Sequence, residues 1–441
     1  MLSNLSTDKE KTGMQNQVSI SSFENIPVND DWCFNNARSI EQWTHGYHRY
    51  PAKFLPNLVK KLIEDYTCKD DIIADLFAGC GTTLVEAKIH GRKSIGVDIN
   101  PVAELITKAK IKPIKPQKLN FEYNSILDHF KKFIPAEYSH VVLHDRIDYW
   151  FFQEQKAKIA FLYDVILENE NEDIKNFFLV TLSHILKNCS KWLQSSTKPQ
   201  IDPNKVPSDP FATFKTQAKQ MIKKNKEYYA YLKENNYLTT ECVINLEDAR
   251  QTSIPANSIG AIITSPPYVT SYEYADIHQL TGYWYDYISD IKEFRKKFIG
   301  TFYSLNQELG CTTGLAQSII KDLLKQDKRT AKEVANYFKD MQAVSKEMYR
   351  ILKDNGHACL VVGNTTFKNV KIKSAEVFSE ILTNLGFELV EVIKRSIPYK
   401  LIPTIRDKNT GKFSKLENKN SKLVYPEEYI IIVKKVKNEY R

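Results

Sequence analysis

The stretch Thr264-Ser-Pro-Pro-Tyr268 brings together a hydroxyl, two prolines and an aromatic ring directly after the apolar run of residues 259–263. Diproline fixes two φ angles and removes two backbone N–H donors, so the loop carbonyls keep few internal partners. Free acceptors at the carboxyl end of a strand lie where ligands bind in open α/β sheets. The Ser265 hydroxyl and the Pro266 carbonyl could accept the two N–H bonds of an exocyclic amino group on a nucleobase, and Tyr268 could stack on that base. A strand that simply ends in a turn is the alternative.

A glycine loop occupies residues 75–81 (DLFAGCG), where a strand pattern changes to a helix pattern. Gly79 and Gly81 allow backbone amides to approach a ligand closely. Asp98 ends the next strand about 20 residues later, the offset at which a carboxylate reaches ribose hydroxyls in doubly wound folds. Leu84 stands where the dinucleotide fingerprint requires a third glycine, which disfavours a dehydrogenase. Alone, this motif could also be an ordinary turn with a solvated acid.

Together with the upstream segment of residues 45–54 (HGYHRYPAKF), these two motifs resemble the amino-methyltransferases of DNA. In that family SPPY marks modification of the N4 atom of cytosine, whereas the adenine-N6 relatives usually carry Asp or Asn where Ser265 stands. The resemblance implies S-adenosyl-L-methionine as cofactor and double-stranded DNA as substrate, with the target base flipped out of the helix. It covers residues 45–112 and 241–280, and more weakly the chain through 433.

The resemblance also assigns roles by position. The methionine part of the cofactor would be held by Asp75, Phe77, Gly79 and Gly81. The ribose would be bound by Asp98, and the adenine ring would lie near Asp248, which precedes the TSPPY strand. The methionine end would be covered by Tyr50, Pro51, Ala52, Lys53 and Phe54. The catalytic loop would consist of Ser265, Pro266, Pro267 and Tyr268. No metal site is expected, and Cys80 is interpreted as a small filler in the glycine loop.

Hydrophobic periodicity predicts the elements that must position these residues. Residues 71–112 read as a strand, loop, helix, strand and helix, which is a β-α-β unit and implies a parallel sheet. Residues 51–66 and about 333–353 have helical spacing, and the first of these helices is expected to follow the 45–54 segment. The last two strands, 387–396 and 428–436, predict an antiparallel pair at the sheet edge. The expected fold is a doubly wound α/β methyltransferase sheet of seven mostly parallel strands, with a terminal antiparallel pair and a helical insertion.

Four segments are predicted. Residues 1–30 are expected to be a disordered tail, and residues 31–112 the first, cofactor-binding part of the methyltransferase domain. Residues 113–240 are expected to be a helical insertion that could serve target recognition or dimerisation. Residues 241–441 would complete the domain with the catalytic loop and the sheet edge.

Composition is compatible with a nucleic-acid partner. The 441 residues include 62 Lys and Arg against 53 Asp and Glu, for a net charge of +9. Seven scattered cysteines suggest neither a disulfide framework nor a zinc cluster. The sequence contains no apolar run of about 20 residues and no signal peptide, so a soluble cytoplasmic protein is expected, with a restriction endonuclease as a possible separate partner chain.

Three basic or aromatic segments are candidates for DNA contact. They are the aromatic stretch 268–298, the lysines of a predicted helix in the insertion, and the loop of residues 403–424. Buried aromatics and a solvated charged face are equally good interpretations. Adenine-N6 methylation of DNA, methylation of an RNA base and non-catalytic nucleic-acid binding remain the alternative functions.

Overall fold

The structure of the chain is a computed structural model. It describes residues 22–34, 40–138, 144–269, 274–301, 313–367, 369–397, 405–407, 421–423 and 427–437.

The amino-terminal part contains helix α1 (Pro56–Tyr66), strand β1 (Ile72–Asp75), helix α2 (Thr82–Ile89), strand β2 (Lys93–Asp98) and helix α3 (Pro101–Ile111). Five further helices follow: α4 (Pro116–His129), α5 (Asp145–Trp150), α6 (Gln153–Leu167), α7 (Glu172–Leu186) and α8 (Pro210–Glu234).

The remainder begins with strands β3 (Cys242–Leu246) and β4 (Ile259–Thr264), then helices α9 (Tyr274–Ile277), α10 (Gln279–Trp284), α11 (Ile291–Lys296), α12 (Gly314–Leu324) and α13 (Lys328–Ile351). It continues with β5 (Leu352–Val362), β6 (Thr365–Phe367), β7 (Val370–Ile372), α14 (Ser374–Asn384), β8 (Phe387–Ser396), β9 (Ile405–Asp407), β10 (Ser421–Leu423) and β11 (Glu427–Lys435).

Seven strands form one sheet in the order β3-β2-β1-β4-β5-β11-β8. Strand β11 runs antiparallel to both β5 and β8, while the other neighbouring pairs are parallel. The predicted fold class is therefore confirmed, with the reversed strand inserted between β5 and the edge strand β8. Strands β6 and β7 form a small antiparallel pair of their own, as do β9 and β10.

The central strands are apolar on both faces because helices cover both faces. On one face Ile73, Ile263 and Cys359 pack against Leu58 and Leu62 of α1. On the other face, neighbouring residues of the same strands, such as Ala74, Ile262 and Leu360, pack against helices α12 to α14. Because β1 pairs in parallel with both β2 and β4, the carboxyl ends of these three strands lie at a common edge of the sheet.

The insertion is helical, as predicted. Its apolar core also includes residues of α3 and α10. Its longest helix, α8, begins where the sequence supplies a cap: the Asp209 carboxylate accepts the Ala212 N–H at 2.9 Å, and Pro210 takes the first helical position. The Trp150 and Trp192 rings stack at 5.1 Å between α5 and the turn after α7.

Helix α1 follows the 45–54 segment, as predicted, and begins at Pro56, because proline favours the first helical turn and the preceding residue is held extended. One predicted boundary is wrong. Helix α13 begins at Lys328, capped by the Asp327 carboxylate, rather than near residue 333.

The expectation of a disordered tail through residue 30 is also wrong for the part that the structure describes. Phe23 is fully buried, and its N–H donates to the Glu376 carboxylate at 3.0 Å. The Asn29 N–H donates to the Lys394 carbonyl at 2.8 Å, which adds this segment to β8. Residues 1–21 lie outside the described part, as do most residues of the 403–424 loop. Within the described residues, no helix has the length and apolar character needed to span a membrane.

Candidate functional site

A pocket opens at the carboxyl ends of β1, β2 and β4, where ligands bind in open α/β sheets. It unites the three sequence motifs. The predicted residues that line it are Tyr50, Ala52, Lys53, Phe54, Asp75, Phe77, Gly79, Asp98, Asp248, Ser265 and Pro267. Pro51, Gly81, Pro266 and Tyr268 are not among its lining residues, whereas Tyr274, Lys297, Phe298 and Ile299 are.

Asp75 is a buried hydrogen-bond centre at the end of β1. Its carboxylate accepts the Phe77 N–H at 3.0 Å, the Thr83 hydroxyl at 2.7 Å and the Thr264 hydroxyl at 2.6 Å. Burial raises the pKa of Asp75, and these three donors oppose that rise. The carboxylate thus ties the glycine loop to α2 and to the residue that precedes Ser265. Contact with a methionine part of the cofactor stays a prediction.

Asp98 lies at the end of β2 and points its carboxylate across the glycine loop. One oxygen accepts the Gly79 N–H at 2.8 Å and the other accepts the Asn100 N–H at 2.9 Å. Burial raises the pKa of Asp98 to about 6, while the two amide hydrogen bonds act in the opposite direction. The remaining lone pairs of this carboxylate can accept hydroxyl groups.

The two glycines of the loop have different functions. Both have positive φ, 51° at Gly79 and 76° at Gly81. A Cβ at Gly81 would lie 2.7 Å from the Thr107 side chain, so this glycine allows the loop to pack on α3. Gly79 instead lines the pocket, and a Cβ there would lie 3.5 Å from the Tyr50 ring. Of these two glycines, only Gly79 therefore lies where its backbone could meet a ligand in the pocket, and that contact stays a prediction.

One carbonyl of the loop of residues 264–268 already has a donor that the sequence did not reveal. The Tyr337 hydroxyl donates to the Pro267 carbonyl at 2.8 Å, so this acceptor is used. The expectation that the loop carbonyls have few internal partners is wrong for Pro267. Within the described residues the Pro266 carbonyl has no hydrogen-bond donor. The Ser265 hydroxyl donates to the Val361 carbonyl at 3.1 Å, which leaves its lone pairs as acceptors.

Tyr268 is held through its hydroxyl, which donates to the Glu428 carboxylate at 2.7 Å. Glu428 is in turn paired with Arg395, its direct neighbour across β11 and β8. Burial raises the pKa of Tyr268 well above its usual value, and the Glu428 charge adds to that rise. Nothing in the motif itself indicates that two residues at the far end of the chain fix this tyrosine.

Asp248 lines the pocket beside Arg250, which the motifs do not include. The guanidinium donates to both carboxylate oxygens, at 3.0 Å from Nε to Oδ1 and 2.6 Å from Nη2 to Oδ2. Arg250 also bonds Asp340 at 3.0 Å. The fixed guanidinium of Arg250 therefore balances the charge of Asp248. In the sequence, the two-residue spacing between Asp248 and Arg250 is the signal that could have indicated this pair.

Three histidines pack beside Tyr50. The His278 ring lies 4.8 Å from the Tyr50 ring and 5.9 Å from the His48 ring, and His184 lies 5.5 Å from His48. Burial lowers the pKa of His184 and of His278 to about 4, and that of His48 well below its usual value. The cluster is therefore neutral near pH 7. It joins the 45–54 segment, helix α7 and the start of α10.

The aromatic stretch 268–298 divides into two groups. Tyr283, Trp284 and Tyr285 are buried in the core of the insertion, as the alternative interpretation of this stretch holds. Tyr274 lines the pocket. Tyr272 lies outside the described residues.

The pocket fits the cofactor that the family resemblance implies. The backbone of the glycine loop lines one side of the pocket. The carboxylates of Asp98 and Asp248 can accept hydrogen bonds from hydroxyl groups. The rings of Tyr50, Phe54 and Phe77 form an apolar, aromatic wall. This donor and acceptor set suits a nucleoside with a neutral or cationic side chain better than a polyphosphate, because carboxylates repel phosphate.

Comparison with known proteins finds a DNA methylase family model and, as individual relatives, type II methyltransferases. A family model described as DNA methylase matches residues 4–109 and 259–441, and it leaves out the helical insertion and Asp248. The type II methyltransferase M.MvaI of Kocuria varians is 27% identical over 400 residues, which cover 83% of this chain and 87% of the relative. The type II methyltransferase M.BsoBI of Geobacillus stearothermophilus is 29% identical over 287 residues, covering 56% of this chain and 52% of the relative.

Among solved structures, the putative DNA modification methylase TTHA0409 of Thermus thermophilus, determined in complex with S-adenosyl-L-methionine, is 18% identical. The match covers 44% of this chain and 55% of that chain, with a TM-score of 0.22. This score is too low to support an argument about either protein.

Proposed function

The chain belongs to the DNA methylase family, and from this membership we propose that it methylates the N4 atom of cytosine in double-stranded DNA. S-adenosyl-L-methionine is the cofactor, and when bound it supplies an electrophilic methyl group on a sulfonium. The observation that carries the choice of cytosine is Ser265 at the head of the SPPY loop, with its hydroxyl donating to Val361 and its lone pairs left as acceptors.

The residues that would hold the cofactor follow from the pocket. The Asp98 carboxylate would accept the ribose hydroxyls, and Asp248 would lie toward the adenine end. The Gly79 backbone would allow close approach below the Tyr50 ring, and Lys53 and Phe54 would cover the methionine end. Asp75 would act indirectly, by fixing the loop and Thr264 through the three hydrogen bonds it accepts.

The target amino group is a poor nucleophile because its lone pair is delocalised into the ring. We assign acceptance of its two N–H bonds to the Ser265 hydroxyl and the Pro266 carbonyl, which favours a pyramidal nitrogen with a directed lone pair. The Pro267 carbonyl is occupied by Tyr337 and serves to fix the loop. Catalysis in this scheme consists of positioning and electrostatics, without a covalent enzyme intermediate.

The base has to leave the duplex, at a cost of about a few kcal/mol of stacking and pairing. Tyr268, tethered to Glu428, is the proposed stacking partner, and Tyr274 is the aromatic residue on the pocket wall. Stacking on an aromatic side chain offsets part of the cost of flipping.

A methyl-transfer assay tests the proposal. Labelled S-adenosyl-L-methionine is incubated with the protein and with either mixed-sequence duplex DNA or structured RNA. Label is expected in the DNA, and the Ser265→Ala variant should lose about a hundredfold or more of the rate because one acceptor is gone. The matched control is Ser258→Ala, just before the start of the same strand, where a near-normal rate is expected. Transfer to RNA alone, or an unchanged rate in Ser265→Ala, contradicts the proposal.

We further propose that the chain is the modification enzyme of a restriction-modification system, as the type II relatives suggest. The endonuclease would be a separate chain. Long-read modification sequencing of DNA from cells that express the protein should show methylation confined to one short sequence. Methylation without sequence preference contradicts this assignment.

A further inference from the structure

An exposed basic and aromatic surface lies on the insertion. It consists of Arg146 and Tyr149 of α5, Phe152 just after α5, and Lys191 in the turn after α7; we call these four residues the platform. Tyr149 is 48% exposed and Phe152 is 51% exposed, so two large aromatic side chains lie close together at the surface.

Cations flank both exposed rings. The Arg146 guanidinium lies 5.6 Å from the centre of the Tyr149 ring. The Lys191 ammonium lies 6.0 Å from the Tyr149 ring and 5.2 Å from the Phe152 ring. Neither cation pairs with a carboxylate in the described part of the chain. The nearby acid Asp148 is instead paired with Lys156 at 2.5 Å, and Asp145 lies at the exposed start of α5.

The platform is rigidly built. The Lys191 N–H donates to the Trp150 carbonyl at 2.8 Å, and the Trp150 and Trp192 rings stack beneath it. The His144 ring stacks on Tyr283 of α10 at 4.4 Å, and its Nε2 lies 3.0 Å from the Ser289 carbonyl. These contacts fix α5 to the segment that follows the catalytic loop.

The same contacts connect the platform to the wall of the pocket. Helix α10 begins one residue after His278, whose ring lies 4.8 Å from the pocket residue Tyr50. On the other side, Arg49 directly precedes Tyr50, and its charge repels that of Lys187, which lies four residues before Lys191. The platform is therefore connected to the pocket wall through His278 and α10, and through Arg49 and Lys187.

The lysines of α8 are placed differently. At 100° per residue, Lys215, Lys219, Lys223 and Lys226 lie on the side opposite the buried residues Phe214, Met221 and Tyr228. Lys224, by contrast, turns toward the Glu41 carbonyl. The four exposed lysines have no aromatic neighbours among the described contacts and no link to the pocket mouth, which fits a solvated face.

We propose that the platform contacts the DNA duplex that flanks the flipped base, with Arg146 and Lys191 on phosphates and Tyr149 and Phe152 packed against the sugar and base edges. This inference rests on the proposed function, since it assumes that DNA enters the pocket. Cations without a carboxylate partner match the phosphate charge, and exposed aromatics flanked by cations suit a nucleic-acid surface. The insertion thereby acquires a definite role in holding the substrate.

The test measures binding of a short fluorescent duplex of random sequence as a function of salt concentration. The slope of log affinity against log salt decreases in magnitude by about 0.9 for each phosphate that the protein no longer neutralises. The double variant Arg146→Ala with Lys191→Ala is therefore expected to have a slope smaller by about 2. The double variant Lys219→Ala with Lys223→Ala is the matched control, with a slope equal to that of the wild type.

A second variant tests the aromatic part. Tyr149→Ala with Phe152→Ala should bind the duplex about tenfold more weakly, with little change in slope because no charge is removed. Calorimetry with S-adenosyl-L-methionine checks that each variant is folded, because none of these residues lines the pocket. Unchanged cofactor affinity is expected throughout.

Three results overturn the inference: an unchanged slope in the Arg146 and Lys191 variant, a slope change confined to the α8 control, or losses seen only with single-stranded DNA or RNA. Failure of the proposed function is distinguishable, since in that case the wild type transfers no methyl group to DNA whatever the binding slopes are.

Discussion

At the scale of single residues, the sequence predicted which side chains meet but not how each is used. Asp98, Gly79 and Ser265 line one pocket, as the motif spacing required. Gly81 and Tyr268 do not line it. Gly81 is required by its contact with Thr107, and Tyr268 is held by Glu428, which lies 160 positions further along the chain. Motifs encode local backbone geometry, whereas such partners depend on how distant strands pair.

The tether on Tyr268 gives a residue-scale prediction. Tyr268→Phe keeps the ring but loses the hydrogen bond to a carboxylate, so methyl transfer should slow by about tenfold while cofactor affinity stays unchanged. Tyr268→Ala should slow it further because the stacking surface is lost as well. The measurement is kcat and KM for duplex DNA, with cofactor binding by calorimetry.

Tyr66→Phe is the matched control for this experiment. Its hydroxyl donates to Glu391 at 3.1 Å, so it is also a tyrosine bound to a carboxylate, but it lies outside the pocket. A normal rate is expected. If Tyr268→Phe is as active as the wild type, the tether has no part in catalysis.

At the scale of elements, the β-α-β unit and the two final strands were predictable because their hydrophobic periods are clear. The start of α13 was less predictable, because the cap at Asp327 decides where this helix begins. Strand β11 lies between β5 and β8 in the sheet, although β8 precedes it in the chain. Local sequence does not encode that order.

The glycine loop offers a prediction at this scale. Gly81→Ala places a Cβ at positive φ and 2.7 Å from Thr107, so the free energy of unfolding should fall by about 1–3 kcal/mol. Gly314→Ala is the control, because an added Cβ there has its nearest neighbour at 3.8 Å. Urea denaturation measures both. Equal stability of the Gly81→Ala variant and the wild type would show that α3 can move away from the loop.

At the scale of the whole molecule, the insertion and the sheet domain are joined through the buried histidines. His48 lies in the 45–54 segment, His184 in α7 and His278 just before α10. Only their distant positions along the chain are visible in the sequence, so their meeting beside Tyr50 could not be predicted. The DNA methylase family model matches residues 4–109 and 259–441 and does not include the insertion. The insertion is therefore an addition to the sheet domain that the family model describes.

This junction predicts a pH dependence. The pKa of His278 is lowered to about 4 by burial, below its usual value of about 6.5, so the folded state binds fewer protons than the unfolded state between these values. Its contribution to stability is present above pH ~6.5 and is lost as the pH falls toward 4. The raised pKa values of Asp98 and Glu86, about 6 and about 8, act in the opposite direction.

The contribution of His278 is isolated by comparing the wild type with His278→Gln. The difference between their free energies of unfolding should shift in favour of the variant by a few kcal/mol, about 1.4 kcal/mol for each pH unit, as the pH falls from 6.5 to 4. Asp98 and Glu86 are common to both proteins and cancel. Parallel pH profiles would show that His278 takes up its proton as easily in the folded protein as in the unfolded chain.

The central claim, methylation of cytosine N4 in DNA, is tested most directly by identifying the product. Duplex DNA is methylated with the purified protein and S-adenosyl-L-methionine, digested to nucleosides and analysed by mass spectrometry beside an enzyme-free control. N4-methylcytosine is the expected product. N6-methyladenine as the product, or no methylated nucleoside above the control, would contradict the account.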